Sequence, residues 1–488
     1  MGFTRDGDGS TLSLDFTQGI LDSRISFSRS TTATFISVGN LTDPTLTIES
    51  VGGSVVGDWD DPNIWDIAKS PRDGQVLVTI LVGDTVTFND YNTGVLLSTA
   101  SVNQPRFDHD PTTLAPQGLL IEGSATNVLL GFAAGSWGRQ NINGSGTGGA
   151  LTNGQTGPDG VANTAARITT AASTTFPTGM FVAFATNAAG NSRTFSVWLR
   201  GVGANTTASI AIVGSNTPAG VASSQSGHSV TLATSTSGNN LLALVTGLST
   251  TAWTRVSISR TDTQASSDSY RICPGDHTGT ISSGLAVDVY VPQAESGIGM
   301  SSTIPTVASQ VTRLLDSCTI PMSSFGFVTT GGTFQVNYRR GEFGTQQRSP
   351  INTDYVNGRW IGVFHASGST TAFLSWWDGT GALSRTTQTA GANKLAYSFG
   401  ANTGSGATLQ LAVSLSVNGS TTTGAFGNGT TNGANVPNLA NITNLTIGAA
   451  SQSAPHTTAN RDFLNNCVSL VRYWPTRLSD AQLTTLTT

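Results

Sequence analysis

Residues 103–130 read NQPRFDHDPTTLAPQGLLIEGSATNVLL, and whether this line is chemistry or architecture decides how the rest of the chain is read. The cluster Arg106-Phe107-Asp108-His109-Asp110 has the residue types of a catalytic or metal site. In an extended chain, successive side chains alternate, so Asp108 and Asp110 face one side and His109 the other. A single site using all three is then awkward. Pro105 and Pro111 restrict the backbone on both sides, Arg106 suits a bidentate pair with a carboxylate, and Phe107 has a ring to bury. Further on, Leu119, Leu120 and Ile121 are too short an apolar run for a helix and read as a buried strand. A structural joint is expected, built from Arg106, Phe107, Asp108, Asp110, Gly118, Leu119, Leu120, Ile121, Glu122 and Asn127. In it, the guanidinium of Arg106 pairs with Asp108, Asp110 or Glu122, because an unpaired buried charge is strongly destabilising. A metal or catalytic role for the cluster is the alternative.

Composition points the same way. Of 488 residues only 10% are charged and 57 are glycine, which disfavours long exposed helices laced with Lys and Glu. Thr and Val favour a pleated surface, and Asn-Gly pairs supply the positive φ angles of hairpin turns. The fold class is therefore all-β, and the length implies about three domains. A net charge of −5 offers no basic field to a phosphate backbone, so no nucleic-acid partner is expected. The N-terminal MGFTRDGDGS lacks the order of a secretion signal, and no apolar run reaches the roughly 18 residues of a membrane helix; a soluble chain without membrane insertion is expected. Cys273, Cys318 and Cys467 form no C-x-x-C spacing, so neither a disulfide scaffold nor a zinc knuckle is encoded. Pairing of Cys318 with Cys467 across neighbouring strands stays open.

Outward from the line, TLSLDFTQGI alternates Leu12, Leu14 and Phe16 with polar residues, and RISFSRSTTATFI continues the pattern. From about 41 to 94 the texture changes to an acidic, aromatic DWDDPNIWD, then to QVLVTILVGDTVTFND, read as two apolar strands joined at Gly83-Asp84. This block reads as an inserted β unit within an N-terminal β region and joint spanning 1–130. Residues 131–312 carry the strand-and-loop spacing of a sandwich, including TFSVWLRG, WTRVSIS and LAVDVYV. Residues 313–488 carry a second series, with an Asn418-Gly419 hairpin turn. At the end, Ser479 stands three residues before Gln482, the spacing of a capping box that opens a short closing helix. The expected architecture is thus tandem antiparallel β-sandwiches, with the joint connecting the N-terminal region to the first of them.

Three segments carry a family resemblance: Pro105-Arg106-Phe107-Asp108-His109-Asp110-Pro111, then Gly118-Leu119-Leu120-Ile121-Glu122, then Thr126-Asn127-Val128-Leu129-Leu130. Together they resemble the line P-R-F-D-x-D-P, G-L-L-I-E, T-N-L-L of virion appendage proteins of tailed bacteriophages. PDGVANTAARI, VYVPQAESG and STIPTVASQVTR are similar to the carbohydrate-binding-module-like sandwich that follows the line in such proteins. VSLVRYWPTRLSDAQLTTLT is similar to the close of concanavalin-A-like (laminin-G-like) domains in phage tail proteins. The resemblance implies a structural protein of a fibre, neck or collar, or baseplate, located in the virion, and the lack of a catalytic constellation in the sequence leads to the expectation that it is non-enzymatic. Its implied partners are other virion proteins, copies of itself in a homotrimer, and host-surface polysaccharide. Residues 41–94 depart from the family pattern and are assigned to an attachment or partner surface of this protein's own.

Other motifs are weaker. RDGDGS imitates the start of a calcium loop, but the closing position falls on Thr17, which cannot chelate bidentately. Asp58, Asp60 and Asp61 form an oxygen-rich cluster that also suits an acidic turn, so no metal is assigned. Concanavalin-A-like glucanases place their acids close together on one strand. The acids here after Arg313 are Asp316, Glu342, Asp354, Asp378, Asp462 and Asp480, none within two residues of another. No G-x-S-x-G elbow occurs. Trp376-Trp377-Asp378 is the candidate glycan contact, because adjacent strand residues point to opposite faces and an outward indole can stack on a sugar; coverage by a loop or subunit is the plainer reading. No catalytic residues and no cofactor are assigned. The alternatives are a polysaccharide depolymerase acting at a subunit interface and a purely architectural capsid or tail decoration.

Overall fold

The computed structural model describes residues 8–37, 46–50, 53–56, 67–69, 76–78, 85–88, 96–111, 113–132, 137–141, 149–171, 178–187, 190–213, 219–224, 230–234, 240–262, 266–276, 284–340, 348–354, 361–365, 372–376, 381–385, 391–403, 410–426, 442–449 and 463–488. Antiparallel sheets dominate, as the composition implies, and the helix is Asp480–Thr487. Ser479 caps it through the expected box: its side chain accepts from the Gln482 N–H while Gln482 reaches back to the Ser479 N–H. Asn418 and Gly419, at φ 47° and 79°, turn Gln410–Val417 into Ser420–Phe426.

The C-terminal sandwich takes in strands from the beginning of the chain. Its front sheet runs Phe107–His109, Pro116–Ile121, Asn466–Trp474, Gly331–Arg340, Gly391–Thr403, Gln410–Val417 and Ser420–Phe426, and Leu12–Asp15 also pairs with Asn466–Trp474. The back sheet starts with Ser26–Ser28 beside Ser317–Pro321 and continues through Asn444–Ile447, Arg348–Thr353, Ile361–His365, Ala372–Trp376 and Gly381–Arg385. Between them lies one apolar core in which Leu12, Leu14, Phe16, Leu119 and Ile121 pack with Phe334, Val336, Tyr397 and Tyr473. Each such side chain contributes about 1.5–3 kcal/mol by leaving water. Period-two alternation is legible in Leu12 and Leu14, but not the partner strand, which enters some 450 residues later in the chain (Leu12 opposite Tyr473).

The central sandwich is made within 138–296. One sheet runs Gly138–Asn141, Thr178–Asn187, Ser266–Pro274, Ala208–Val213, Asn240–Val245 and Val230–Thr234; the other runs Ala150–Gln155, Ala165–Thr169, Ala286–Ser296, Ser192–Gly201, Thr254–Thr261 and Ala219–Ser224. Their facing side chains, among them Ile168, Phe195, Val197, Ile210, Tyr270 and Val289, form its core. The second sheet also buries part of its outer face. There Trp198, Trp253 and Tyr290 receive Ile36 and Leu97, which sit on the paired strands Ala33–Ser37 and Leu96–Ala100.

Between those two strands, Leu46–Ser50 pairs with Gly53–Val56 and with Thr85–Phe88, and Ile67–Lys69 pairs with Val76–Val78. Among the described residues, the two apolar strands of QVLVTILVGDTVTFND are not paired with each other as one hairpin. Each is taken by an upstream segment, a choice that local turn chemistry does not reveal. The cysteines are all free and buried. Cys318 lies opposite Phe27 in the back sheet, and Cys467 lies opposite Leu120 in the front sheet, so they are not on neighbouring strands.

Candidate functional site

The line 105–130 begins with a bulge. Asp108 pairs with Gly118 and His109 with Pro116, so Gln117 is the extra residue and the bulge lies on the strand Pro116–Ile121. Asp108 and His109 both reach Ile36 of the strand Ala33–Ser37. The Asp108 carboxylate accepts from the Ile36 N–H at 2.6 Å, and His109 Nδ1 lies 3.2 Å from the Ile36 carbonyl, to which it donates. These side chains occupy backbone groups of a strand whose one partner among the described residues is Leu96–Ala100. Asp110 turns away to accept from the Thr113 N–H at 2.9 Å and from the Gln117 amide at 3.1 Å, closing the loop before the next strand. The three residues of the apparent triad are thus not brought together.

Arg106 is fully buried and lies at the centre of a charged cluster. Its Nη1 donates to Glu122 Oε2 at 2.7 Å, to Ser302 Oγ at 2.9 Å and to the Thr34 carbonyl at 3.0 Å. Its Nη2 donates to Asp316 Oδ2 at 2.5 Å. Asp316 in turn accepts from Arg29 Nη1 at 3.1 Å and from the Glu122 N–H at 2.9 Å. Arg313 approaches Glu122 at 3.6 Å and donates to the Gly123 carbonyl at 2.7 Å. Three guanidiniums therefore surround two carboxylates in a volume closed to water. Such charges are tolerated only when paired and hydrogen-bonded. Of the partners named from sequence, Glu122 is engaged and Asp108 and Asp110 are not; Asp316, Arg29 and Arg313 were missed. The signal that could have found them is scarcity, since an Arg or Asp amid apolar neighbours in so uncharged a chain needs a buried partner.

Opposing influences set the charge states of this cluster. Burial pushes the Glu122 carboxyl up, but Arg313, Arg106 and the donors of Ser302 outweigh it and hold the group down at about 2. For Asp108 burial wins: with the charge of Glu122 nearby, its carboxyl is pushed up to about 7 despite the Ile36 N–H and Arg106.

Glu122 also ends a strand and begins a connection. Leu119, Leu120 and Ile121 pair with Val468, Cys467 and Asn466, and Leu119 and Ile121 point into the C-terminal core. Gly118, at φ +104°, passes so close that a Cβ would stand 2.3 Å from the Val468 carbonyl oxygen. Phe107 packs half-buried against the same core. Beyond Glu122 the chain crosses to the central sandwich, where Asn127 is saturated. Its amide donates to the Pro292 and Ile304 carbonyls, and its oxygen accepts from the Leu129 and Ala294 N–H groups. The segment 302–304 answers from the other side: the Ser302 N–H donates to Glu122 at 2.7 Å, the Thr303 carbonyl accepts from Thr34 Oγ1, and the Ile304 N–H donates to Gln293. The joint expected between the N-terminal region and the first sandwich therefore also contains the C-terminal sandwich.

The remaining candidates are placed differently. Trp376 ends the strand Ala372–Trp376, opposite Ile361 and Gly381; Trp377 and Asp378 lie outside the described residues, as do Asp58, Asp60 and Asp61. Asp8 of RDGDGS accepts from the N–H and hydroxyl of Ser10, forming a turn. Among the described residues no three His, Cys, Asp or Glu side chains are grouped to hold a metal ion, and no helix is long and apolar enough to cross a membrane.

No family model matches the chain. No curated protein matches it either. Among solved structures, NanB with optactamide is similar over 35% of this chain and 26% of that one, at 14% identity and a TM-score of 0.25. The match spans about a quarter of the NanB chain, and at that score it carries no argument about fold or function.

Proposed function

We propose that the chain is a structural component of a tailed-phage virion appendage, in which two β-sandwiches are held at a set angle by the line 105–130 and present a charge-poor surface to other copies and to host glycan. The observation that carries this reading is the use to which the most site-like residues are put. Arg106, Glu122 and Asp316 are buried in mutual ion pairs, Asp108 and His109 bond to backbone, and Asp110 closes a loop. Side chains so engaged serve architecture, and those of the apparent triad are directed to separate partners rather than to one substrate position. The resemblance of this line to that of phage appendage proteins supplies the identity.

The test is immunogold electron microscopy of phage particles with antibody raised against the purified chain. Label at a discrete tail, collar or fibre position is the expected result, and particles that lack label while the free protein is recognised would overturn it. Incubating the protein with host capsule or lipopolysaccharide separates the depolymerase alternative. A steady rise in new reducing ends would replace the structural reading with an enzymatic one.

A further inference from the structure

We propose that Arg348 is the floor of an oxyanion site at the seam between the two sandwiches, which takes a phosphate, sulfate or carboxylate group. Arg348 begins the back-sheet strand Arg348–Thr353 and is 7% exposed. Its Nη1 donates to the Leu464 carbonyl at 2.9 Å. That is one neutral acceptor for a group with five N–H donors, and no carboxylate pairs with Arg348 among the described residues. Arg29, Arg106 and Arg313 of the joint, of comparable burial, each have an acid against them: Arg29 and Arg106 have Asp316, and Arg106 and Arg313 have Glu122.

Arg348 is also next to a like charge. Arg340, itself 4% exposed, lies close enough to repel it. Together with burial, this lowers the Arg348 guanidinium to about 10, which still leaves it protonated at neutral pH. His365 stands opposite Arg348 in the strand register. A buried cation without a counter-charge costs several kcal/mol, and a bound anion is the direct compensation.

The strand is bulged between Arg348 and Ile351. Across the seam stands Gly299 of the central sandwich, at φ +95°, where even a Cβ would lie 3.8 Å from Arg348 Nη2. Gly299 thus brings the central sandwich up to the guanidinium with no side chain interposed. An oxyanion there would bridge the two sandwiches at a place distinct from the Arg106 cluster. This site does not depend on the virion assignment.

The test uses the full chain in a weakly coordinating buffer, titrated with sodium phosphate, sodium sulfate or methyl glucuronide against sodium chloride of matched ionic strength. The expected result is a saturable rise in Tm, roughly 3 °C or more once the anion exceeds its Kd a hundredfold, that is lost in Arg348→Gln. A response to inorganic phosphate or sulfate identifies a free-ion site, and a response to methyl glucuronide alone identifies a sugar-borne carboxylate; either supports the proposal. A flat wild-type response to all three, or an equal response in Arg348→Gln, overturns it. Should the variant fail to fold, equilibrium dialysis of the wild-type chain with labelled phosphate and labelled glucuronide decides. About one anion per chain is expected, and binding of neither overturns the site.

Discussion

Arg106 separates a buried charge network from a surface ion pair. Its removal by Arg106→Ala leaves Glu122 with Arg313 at 3.6 Å and Asp316 with Arg29 at 3.1 Å, and empties a volume at the meeting point of three chain regions. The expected loss is about 3–5 kcal/mol, read as a lower thermal midpoint. Glu122→Gln should cost less, since Arg106 keeps Asp316; the reverse order would remove Arg106 from the centre of the network. The two shifted carboxyls act oppositely with pH. Glu122 is held below its unfolded value of 4.5, so its contribution is complete above that value and is lost as pH falls towards about 2. Asp108 is held above its unfolded value of 3.8, so between there and about 7 the folded state binds more protons and stability falls as pH rises. Asp108→Asn cannot ionise and should remove this decline from a plot of thermal midpoint against pH. An unchanged slope in the variant would show that another group is responsible.

At the scale of the element, the strand Pro116–Ile121 is set by one glycine and two alternating apolar side chains. Gly118→Ala would place a methyl against the Val468 carbonyl in a left-handed backbone conformation. A cost of at least about 1–3 kcal/mol is expected, with the protection of the Leu119 and Ile121 amides in hydrogen exchange lowered first. Equal protection in the variant would mean that the strand tolerates a shift there. The strand itself was legible, because three apolar residues bounded by turn residues leave few alternatives. So were the helix cap at Ser479 and the turn at Asn418-Gly419, where the physics is contained within four residues. The bulge at Gln117 was not legible, since it arises from the mismatch of two strands rather than from either one. Nor was the contact of Asp108 and His109 with Ile36, which lies on a segment some 70 residues upstream.

For the whole molecule, the expectation is a homotrimer. So few charges provide little repulsion between copies, and strands such as Ala150–Gln155 at a sheet edge are exposed. Sedimentation equilibrium at micromolar concentration should give three times the monomer mass of 50.2 kDa; a stable monomer would count against self-assembly. The all-β class followed from the sequence by itself, because composition, period-two alternation and turn chemistry act over a few residues and leave their mark in the order of the chain. Which strands pair was decided only by tertiary structure. Leu12–Asp15 and Pro116–Ile121 add to a sheet completed by Asn466–Trp474, and Arg106 meets an aspartate 210 residues downstream. Many apolar strands of similar length are interchangeable by local pattern. The physical discriminants are the shared core that buries Leu119 and Ile121 and the need of each buried guanidinium for a carboxylate, and both exist only once the distant segments have come together.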